Sequence, residues 1–192
     1  MCMNPEFQHA YVITMQNIFL FGFLISLLLT IVLKRKNSDY FLTSLPLFAV
    51  TAHQVEEYII SPLLLGDNYH FLNWAYQIGL DISSSEVVFV NSTAYLFPLI
   101  LYLFKPSSKL FSLFFLFGAG AALANGMFHL GVATLQTDYS PGMITALFLF
   151  LPIFIKSVLL ASEKLVSFRL IFVLSLYGFI LHYVMIWIVN IL

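Results

Sequence analysis

The stretch "TAHQVEEYIISP", Thr51 to Pro62, places one histidine and two adjacent carboxylates inside a strongly apolar chain. The ten residues before it, "FLTSLPLFAV" at 41–50, contain no charged side chain. His53, Glu56 and Glu57 are spaced i, i+3 and i+4, so a helix carries all three on one face. Unpaired charges are costly in apolar surroundings, so this face must find partners on other helices.

The composition is that of an integral membrane protein. The 192 residues are 61% hydrophobic and 9% charged, whereas soluble domains are about 45–50% apolar and about 25% charged. Cys2 is the single cysteine, which excludes an intrachain disulfide. The sequence contains no phosphate loop or dinucleotide fingerprint, so we expect no nucleotide cofactor and no nucleic-acid partner.

Apolar runs of about 18 or more residues mark candidate membrane spans. They predict an all-α integral membrane protein, a single helical domain over residues 1–192 with about six transmembrane helices. Five spans plus a re-entrant segment is the alternative. The predicted spans are Ala10–Leu33, Tyr40–Ile60, Glu86–Phe104, Leu110–Leu135, Gly142–Leu160 and Leu165–Leu192.

Residues 61–85 are too polar to span a membrane and are predicted to form an extracytoplasmic loop. A short interfacial helix is expected near "HFLNWAYQ", with Trp74 and Tyr76 at headgroup level. The loop is long for a connection, which favours a lid over a site beneath it. An ordinary exposed linker is the alternative.

The basic residues predict the orientation. All eight lie in, or within five residues of, connections at one face, whereas the opposite connections carry only acidic charges. By the positive-inside rule, both termini are extracytoplasmic, and a bacterial-type inner (cytoplasmic) membrane is the predicted location. Because "KRK" follows the first run and no basic residue precedes it, that run is predicted to be a retained span. The basic residues are Lys34, Arg35, Lys36, Lys105, Lys109, Lys156, Lys164 and Arg169.

Polar residues on several spans share one depth. At about 1.5 Å per residue, His53, Asn91, Asn125 and His129 lie roughly 20–30 Å from the basic face. They are therefore predicted to meet in the outer half of the bilayer. For His182 an interhelical hydrogen bond is favoured over membership of this site. His9 and His70 are expected to be exposed to solvent.

A ridge of small residues on the fourth span predicts close helix packing. Gly118, Ala122 and Gly126 are spaced four apart, which lets a neighbouring helix approach. Asn125 and His129 lie beside this ridge. The predicted neighbour of this Asn125–His129 edge is the acidic face of the second span.

Two carboxylates and imidazoles in apolar surroundings must pair, protonate or bind a cation. Carboxylate and imidazole ligands suit zinc, iron or manganese. We predict His53, Glu57 and His129 as metal ligands. One glutamate, Glu56 or Glu57, is predicted as general base. The alternatives are a hydrogen-bonded network of protonated side chains, or a shallow position in which the glutamates meet water.

Three sequence elements carry a family resemblance. They are His53-Gln54-Val55-Glu56-Glu57, "NGMFHLG" from Asn125 and "YSPGMITALFLFLP" from Tyr139. In this order they resemble the HXXEE family of small multi-pass membrane proteins, which is known by its motif and not by an activity. The resemblance implies His53, Glu56, Glu57, Asn125, His129, Tyr139 and Pro141 as site residues.

A second comparison is with membrane-embedded metalloproteases that carry a Glu-Glu-x-x-x-Arg motif and a Phe-x-x-x-His motif. Ser61 stands where the arginine would be, and Asn125 where the phenylalanine would be. Both departures argue against that assignment.

Together these features predict a membrane-embedded, metal-dependent enzyme of hydrolase or isomerase type that acts on a lipid or hydrophobic small molecule. Tyr139 would donate a proton or stabilise an oxyanion, and Asn91 or Asn125 would orient substrate or a ligand. Membrane lipids and a lipid-like substrate are the predicted partners. The alternatives are a proton- or cation-coupled transporter that uses the same cluster, and a non-catalytic membrane partner subunit.

Overall fold

The computed structural model describes residues 3–36, 41–91, 108–163 and 167–189, and all regular structure in these ranges is helical. The chain begins with α1 (Ala10–Arg35) and α2 (Phe41–Val55), and α2 continues through a π-helical turn (Glu56–Ile60) into α3 (Ser61–Leu65). A 3-10 turn (Asp67–Tyr69), α4 (Phe71–Gln77) and α5 (helical residues 84–91) follow. The remaining elements are α6 (Ser108–Gln136), α7 (Met143–Thr145), a second π-helical turn (Ala146–Phe150), α8 (Leu151–Glu163) and α9 (Phe168–Val189).

Four helices in the described ranges are long and apolar enough to cross a membrane: Ala10–Arg35, Phe115–Gln136, Met143–Glu163 and Phe168–Ile188. This confirms the prediction of an all-α membrane protein. The second predicted span is an unbroken helical path from α2 to α3. Its polar face makes this path less apolar than those four helices. Most of the third, Glu86–Phe104, lies outside the described residues. The number of six spans and the orientation therefore stay predictions.

Helix α1 is apolar on all sides because it has two kinds of neighbour. Val12, Met15 and Phe19 are buried in the protein, while the remaining surface exposes large apolar side chains suited to lipid. Its polar contact to α2 is a hydrogen bond of 2.7 Å between the hydroxyls of Ser26 and Thr51. Such hydroxyl pairs fasten helices where no water is available.

Helix α6 packs against α8, α9 and the second π-turn. A Cβ added to Gly120 would lie 2.7 Å from the Ser175 carbonyl oxygen, and one added to Gly178 would collide with the Phe117 carbonyl oxygen. The backbones of α6 and α9 therefore touch. The main apolar core lies between α2, α6 and α8 and comprises Ala49, Phe115, Ala119, Ala146, Phe150, Ile153 and Leu160.

The edge of α6 beside the small-residue ridge meets the acidic face of the second predicted span, as predicted. His129 Nε2 lies 3.2 Å from Glu57 Oε1. On the ridge itself, Gly126 approaches the second π-turn, because its added Cβ would lie 3.1 Å from the Ala146 Cβ. Gly118 and Ala122 line a cavity.

Residues 3–9 pack onto the 61–85 connection and form one cap with it. The Asn4 backbone N–H donates to the Asn73 side-chain oxygen at 3.0 Å, and the Ser84 N–H donates to the Glu6 carboxylate at 2.9 Å. The Asn73 amide donates in turn to the Asp67 carbonyl at 2.8 Å. Buried polar groups paired in this way give the connection a defined conformation.

His70 is buried in this cap, so the prediction that it is exposed is wrong. Its ring packs edge-on against Phe7 and Tyr58, with centroids 4.9 and 5.3 Å away, and the Gln16 amide lies 2.9 Å from its Nε2. Burial lowers the pKa of His70 to about 4. His9, by contrast, is exposed as predicted.

We expect Gly178→Ala to destabilise the fold by about 1–3 kcal/mol, because the new methyl group must push α6 and α9 apart. Gly131→Ala is the matched control on α6, since nothing lies within 4 Å of its added Cβ. The control should be neutral or up to about 1 kcal/mol more stable. The free energy of unfolding in detergent micelles measures both, and equal values would contradict the close α6–α9 contact.

We expect His70 to make stability pH-dependent. Its folded pKa of about 4 lies below the unfolded value near 6.5. The unfolded chain therefore binds more protons in between, and the free energy of unfolding falls by up to about 3 kcal/mol as pH drops from 7 to 4. His70→Gln should remove this part of the pH profile, whereas His9→Gln should keep it. Identical profiles for wild type and His70→Gln would contradict the buried neutral state.

Candidate metal centre

Glu57 lies between two imidazole rings. Its Oε1 is 3.3 Å from His53 Nε2, one helical turn earlier, and 3.2 Å from His129 Nε2 on α6. All three side chains are buried, and their ligand atoms lie within 4.8 Å of one another. Local helical spacing thus supplies two members of the cluster, and helix packing supplies the third.

The tautomer of His53 follows from its other nitrogen. His53 Nδ1 lies 2.8 Å from the Thr145 hydroxyl, which itself donates to the Gly142 carbonyl at 3.0 Å. A hydroxyl has one proton to give, so the Thr145 oxygen accepts from Nδ1–H. In the neutral ring, Nε2 therefore presents a lone pair toward Glu57.

His129 is held in the same manner. Its Nδ1 lies 3.0 Å from the Ser140 hydroxyl, and its Nε2 has no hydrogen-bond partner among the described residues other than the facing Glu57 oxygen. A hydroxyl behind each ring orients it, as outer partners do around metal-binding histidines.

The centre of the cluster needs a proton or a cation. The lone pair of the neutral His53 Nε2 and the Glu57 carboxylate repel each other unless one of these lies between them. Metal bonds of about 2.0–2.1 Å in tetrahedral geometry separate ligand atoms by roughly 3.3 Å. The two Glu57–histidine distances, 3.3 and 3.2 Å, match this spacing. The donor set fits a divalent metal ion.

The turn from Tyr139 to Gly142 supports both histidines. Gly142 has φ +93°, and a Cβ at this position would collide with the His53 ring. Glycine is therefore required by backbone conformation and by space. Ser140, Gly142 and Thr145 were not predicted as site residues from the sequence. Their signal was the run "YSPGMIT", whose hydroxyls can bond to imidazole nitrogens.

Glu56 has a different set of partners from Glu57. Its Oε1 accepts from the Tyr139 hydroxyl at 2.6 Å and the Ile144 N–H at 2.9 Å, and its Oε2 accepts from the Thr145 N–H at 2.7 Å. The carboxylate thus caps the N-terminus of α7, where a negative charge is favourable. The π-turn that begins at Glu56 lies beside the site, as such turns often do.

Tyr139 points to Glu56 and keeps its proton. Because its hydroxyl donates to Glu56, the Ser61 hydroxyl 3.0 Å away must donate to Tyr139. Burial, and then the hydrogen bond to Glu56, raise the pKa of Tyr139 above its usual value. A directed chain of hydrogen bonds therefore runs from Ser61 through Tyr139 to Glu56.

A cavity of about 260 Å³ opens beside the cluster. Its walls are mainly apolar, and Glu56 and Tyr139 are not among the residues that line it. Within the described part of the chain, Asn125 Oδ1 and His182 Nε2 have no hydrogen-bond partner. For His182 this differs from the predicted interhelical bond. The polar lining residues are His53, Glu57, Glu86, Asn91, Asn125, His129 and His182.

Helix α4 covers His129. The Trp74 ring stacks on the His129 ring with centroids 5.8 Å apart and an interplanar angle of 25°, and Trp74 is 4% exposed. Trp74 is therefore buried in the protein, where an aromatic side chain gains from a π-face partner, and its headgroup depth stays a prediction. Phe71, on the same helix, lines the cavity.

These features define a class: multi-pass membrane proteins with a buried histidine–glutamate–histidine cluster beside an apolar cavity. Residues 44–157 match the family described as "Protein of unknown function with HXXEE motif". The match covers more than half of the chain, so the chain belongs to this family. No curated protein and no solved structure matches it. The resemblance inferred from the motifs is confirmed.

We expect Glu56→Gln to lower the free energy of unfolding by about 2–3 kcal/mol, since an amide cannot accept all three hydrogen bonds and lacks the charge at the helix N-terminus. Tyr139→Phe, which removes one of the three bonds, should cost about 1 kcal/mol. Tyr69→Phe is the matched control, because the Tyr69 hydroxyl donates to Asp138 at an exposed position. A Glu56→Gln loss no larger than that of the control would contradict the capping role.

Proposed function

We propose that this protein is a membrane-embedded, metal-dependent enzyme of hydrolase or isomerase type that acts on a lipid or another hydrophobic small molecule. The observation that carries the proposal is the convergence of His53 Nε2, His129 Nε2 and Glu57 Oε1 at the wall of an apolar cavity. Polar ligand atoms gathered at one place in an otherwise apolar pocket are typical of a catalytic site.

A divalent ion, zinc, iron or manganese, is the occupant that we propose for the cluster. Two histidines and one glutamate form a ligand set known from catalytic zinc sites, which leave a coordination position open. When bound, the ion would supply Lewis-acid activation of water or of a polar group of the substrate. A cluster facing a cavity suits this use better than one sealed in the core.

The two glutamates receive separate roles. Glu57 holds the ion with Oε1, and its second oxygen is our candidate for accepting a proton. Glu56 positions Thr145, which in turn holds the His53 ring. Tyr139 acts through Glu56 rather than on substrate.

Asn91 and Asn125 are proposed to orient the substrate. Both line the cavity beside the cluster. The free acceptor of Asn125 supports this role, since a substrate group can fill it at no cost to the fold.

For the membrane arrangement we propose six spans, extracytoplasmic termini and an inner-membrane location. The unbroken helical path from Phe41 to Leu65 supports the second span, and α5 supports the start of the third. The confinement of basic residues to one set of connections and to the span ends beside them supports the orientation. Membrane lipids are then the surroundings and the source of substrate.

We further propose that the 61–85 connection is a lid over the site. Support comes from α4, which covers His129, and from Leu80 and Ile82, which line the cavity. A lid lets an apolar substrate enter from lipid while it limits access of bulk water.

We expect the protein, purified from metal-supplemented medium, to hold about one divalent ion per chain. Glu57→Gln and His129→Gln should reduce this by tenfold or more, because each removes one of three ligands. His9→Gln, at an exposed position, and His182→Gln, in the cavity but outside the cluster, should retain it. Elemental mass spectrometry, with circular dichroism to verify the fold, is the measurement.

Metal far below one ion per chain, or unaffected by Glu57→Gln, would overturn the metal-dependent mechanism. In that case, reconstitution into vesicles tests the transporter alternative. Proton or cation flux that requires Glu57 would favour it.

A further inference from the structure

Two helices contribute matching stripes to the cavity wall. Each stripe has spacings of four, three and four residues, which keep a single helix face over three turns. The two helices also run in the same direction, because Ala49 shares a core cluster with Phe115 and Ala119, and further along both helices Glu57 meets His129. The stripes are Pro46, Val50, His53 and Glu57 on the α2 path, and Gly118, Ala122, Asn125 and His129 on α6.

Both stripes change from apolar to polar in the same direction. The first two positions of each are apolar, and the last two carry the polar cluster. At about 1.5 Å per residue, each stripe is roughly 17 Å long. The cavity is therefore elongated, with the candidate metal centre at one end and an apolar floor near Pro46 and Phe117 at the other.

The cavity has room for one hydrocarbon chain. A volume of about 260 Å³ over a length of roughly 17 Å describes a narrow cavity that suits one chain. The distance from the polar residues to the apolar floor is roughly 12–17 Å. Carbon–carbon bonds of about 1.5 Å advance an extended chain by about 1.3 Å, so about 9–13 carbons fit.

We propose that the cavity binds a single-chain amphiphile, a fatty or isoprenoid chain of about 9–13 carbons with one polar end group. The end group lies among Glu57, His129 and Asn125, and the tail extends to Phe117. This substrate class rests on the proposed function for the chemistry at the end group. Binding of the chain needs neither metal nor turnover.

The polar residues also indicate the nature of the end group. Asn125 Oδ1 is a buried acceptor with no partner in the described ranges, and His182 Nε2 faces the same cavity. A ligand that donates a hydrogen bond satisfies Asn125. An ionised carboxylate has no proton to donate to it. The end group is therefore an alcohol or an amide N–H rather than a free acid.

The test is displacement of radiolabelled decanol from the protein in nanodiscs by primary alcohols from hexanol to octadecanol. For wild type we expect affinity to rise about fourfold per methylene and to stop rising at about 9–13 carbons. Each variant is compared with wild type at the same chain length, so partition into lipid cancels. Geraniol against decanol distinguishes an isoprenoid from a fatty chain.

Substitutions along the α6 stripe should shorten the accepted chain in order. Gly118→Leu should reduce the maximum chain length slightly, because its side chain occupies the apolar end of the cavity. Ala122 lies about 6 Å nearer the polar end, so Ala122→Leu should reduce the maximum chain length by a further four or five carbons. Gly131→Leu, where the added Cβ meets nothing within 4 Å, is the matched control and should leave the limit unchanged. Phe117→Ala should increase the maximum chain length, and it provides the test if the variants with larger side chains do not fold.

Equal chain-length limits in wild type, Ala122→Leu and Phe117→Ala would overturn the proposed orientation of the chain. Methyl ethers of the same alcohols should bind about two- to tenfold more weakly, and equal binding would overturn the end-group assignment. The metal content decides the proposed function separately. A metal centre without a chain-length limit refutes only the substrate class, and a limit without metal refutes only the mechanism.

Discussion

One carboxylate oxygen facing two imidazole nitrogens is the contact on which the rest of the structure depends. Glu57 Oε1 joins the α2 path to α6 at 3.2 Å from His129. Neither ring can rotate away, because Thr145 and Ser140 hold the opposite nitrogens. Those hydroxyls belong to the segment whose backbone Glu56 caps. Glu56 thus orients the segment that holds the histidine partners of Glu57. The cluster and its supporting segment form one connected unit.

Much of the helical layout could be predicted from the sequence, because apolar runs of sufficient length report directly on the spans. The ends of α1, α6 and the continuous helix Met143–Glu163 lie within about three residues of the predicted ones. The proximity of His53, Glu57 and His129 also followed from helical spacing and equal depth. These properties are local or additive along the chain, so a pattern is enough to find them.

The different partners of Glu56 and Glu57 could not be predicted in this way. A uniform helix places both on one face, whereas their partners depend on which neighbouring segment approaches each carboxylate. His70 and Trp74 were assigned to surfaces because their connection looks polar, yet Phe7 and His129 provide them with buried partners. The support of His53 by Thr145 also requires a fold that brings together residues 92 positions apart. The run "YSPGMIT" shows hydroxyls that can bond to imidazoles, but it does not show which imidazole each of them meets, because contacts of this kind are tertiary.

The capping of α7 by Glu56 bears on how the chain enters a membrane. The helical path from α2 to α3 carries two glutamates and a histidine whose partners lie on segments made 72 to 92 residues later. When this path leaves the ribosome, nothing in the bilayer can yet compensate these groups, and each ionised carboxylate disfavours insertion. The path is therefore expected to remain at the interface or to stay protonated until α6 and α7 arrive. We therefore expect late assembly during biogenesis, in which α6 and α7 bring the helical path from α2 to α3 to its final depth.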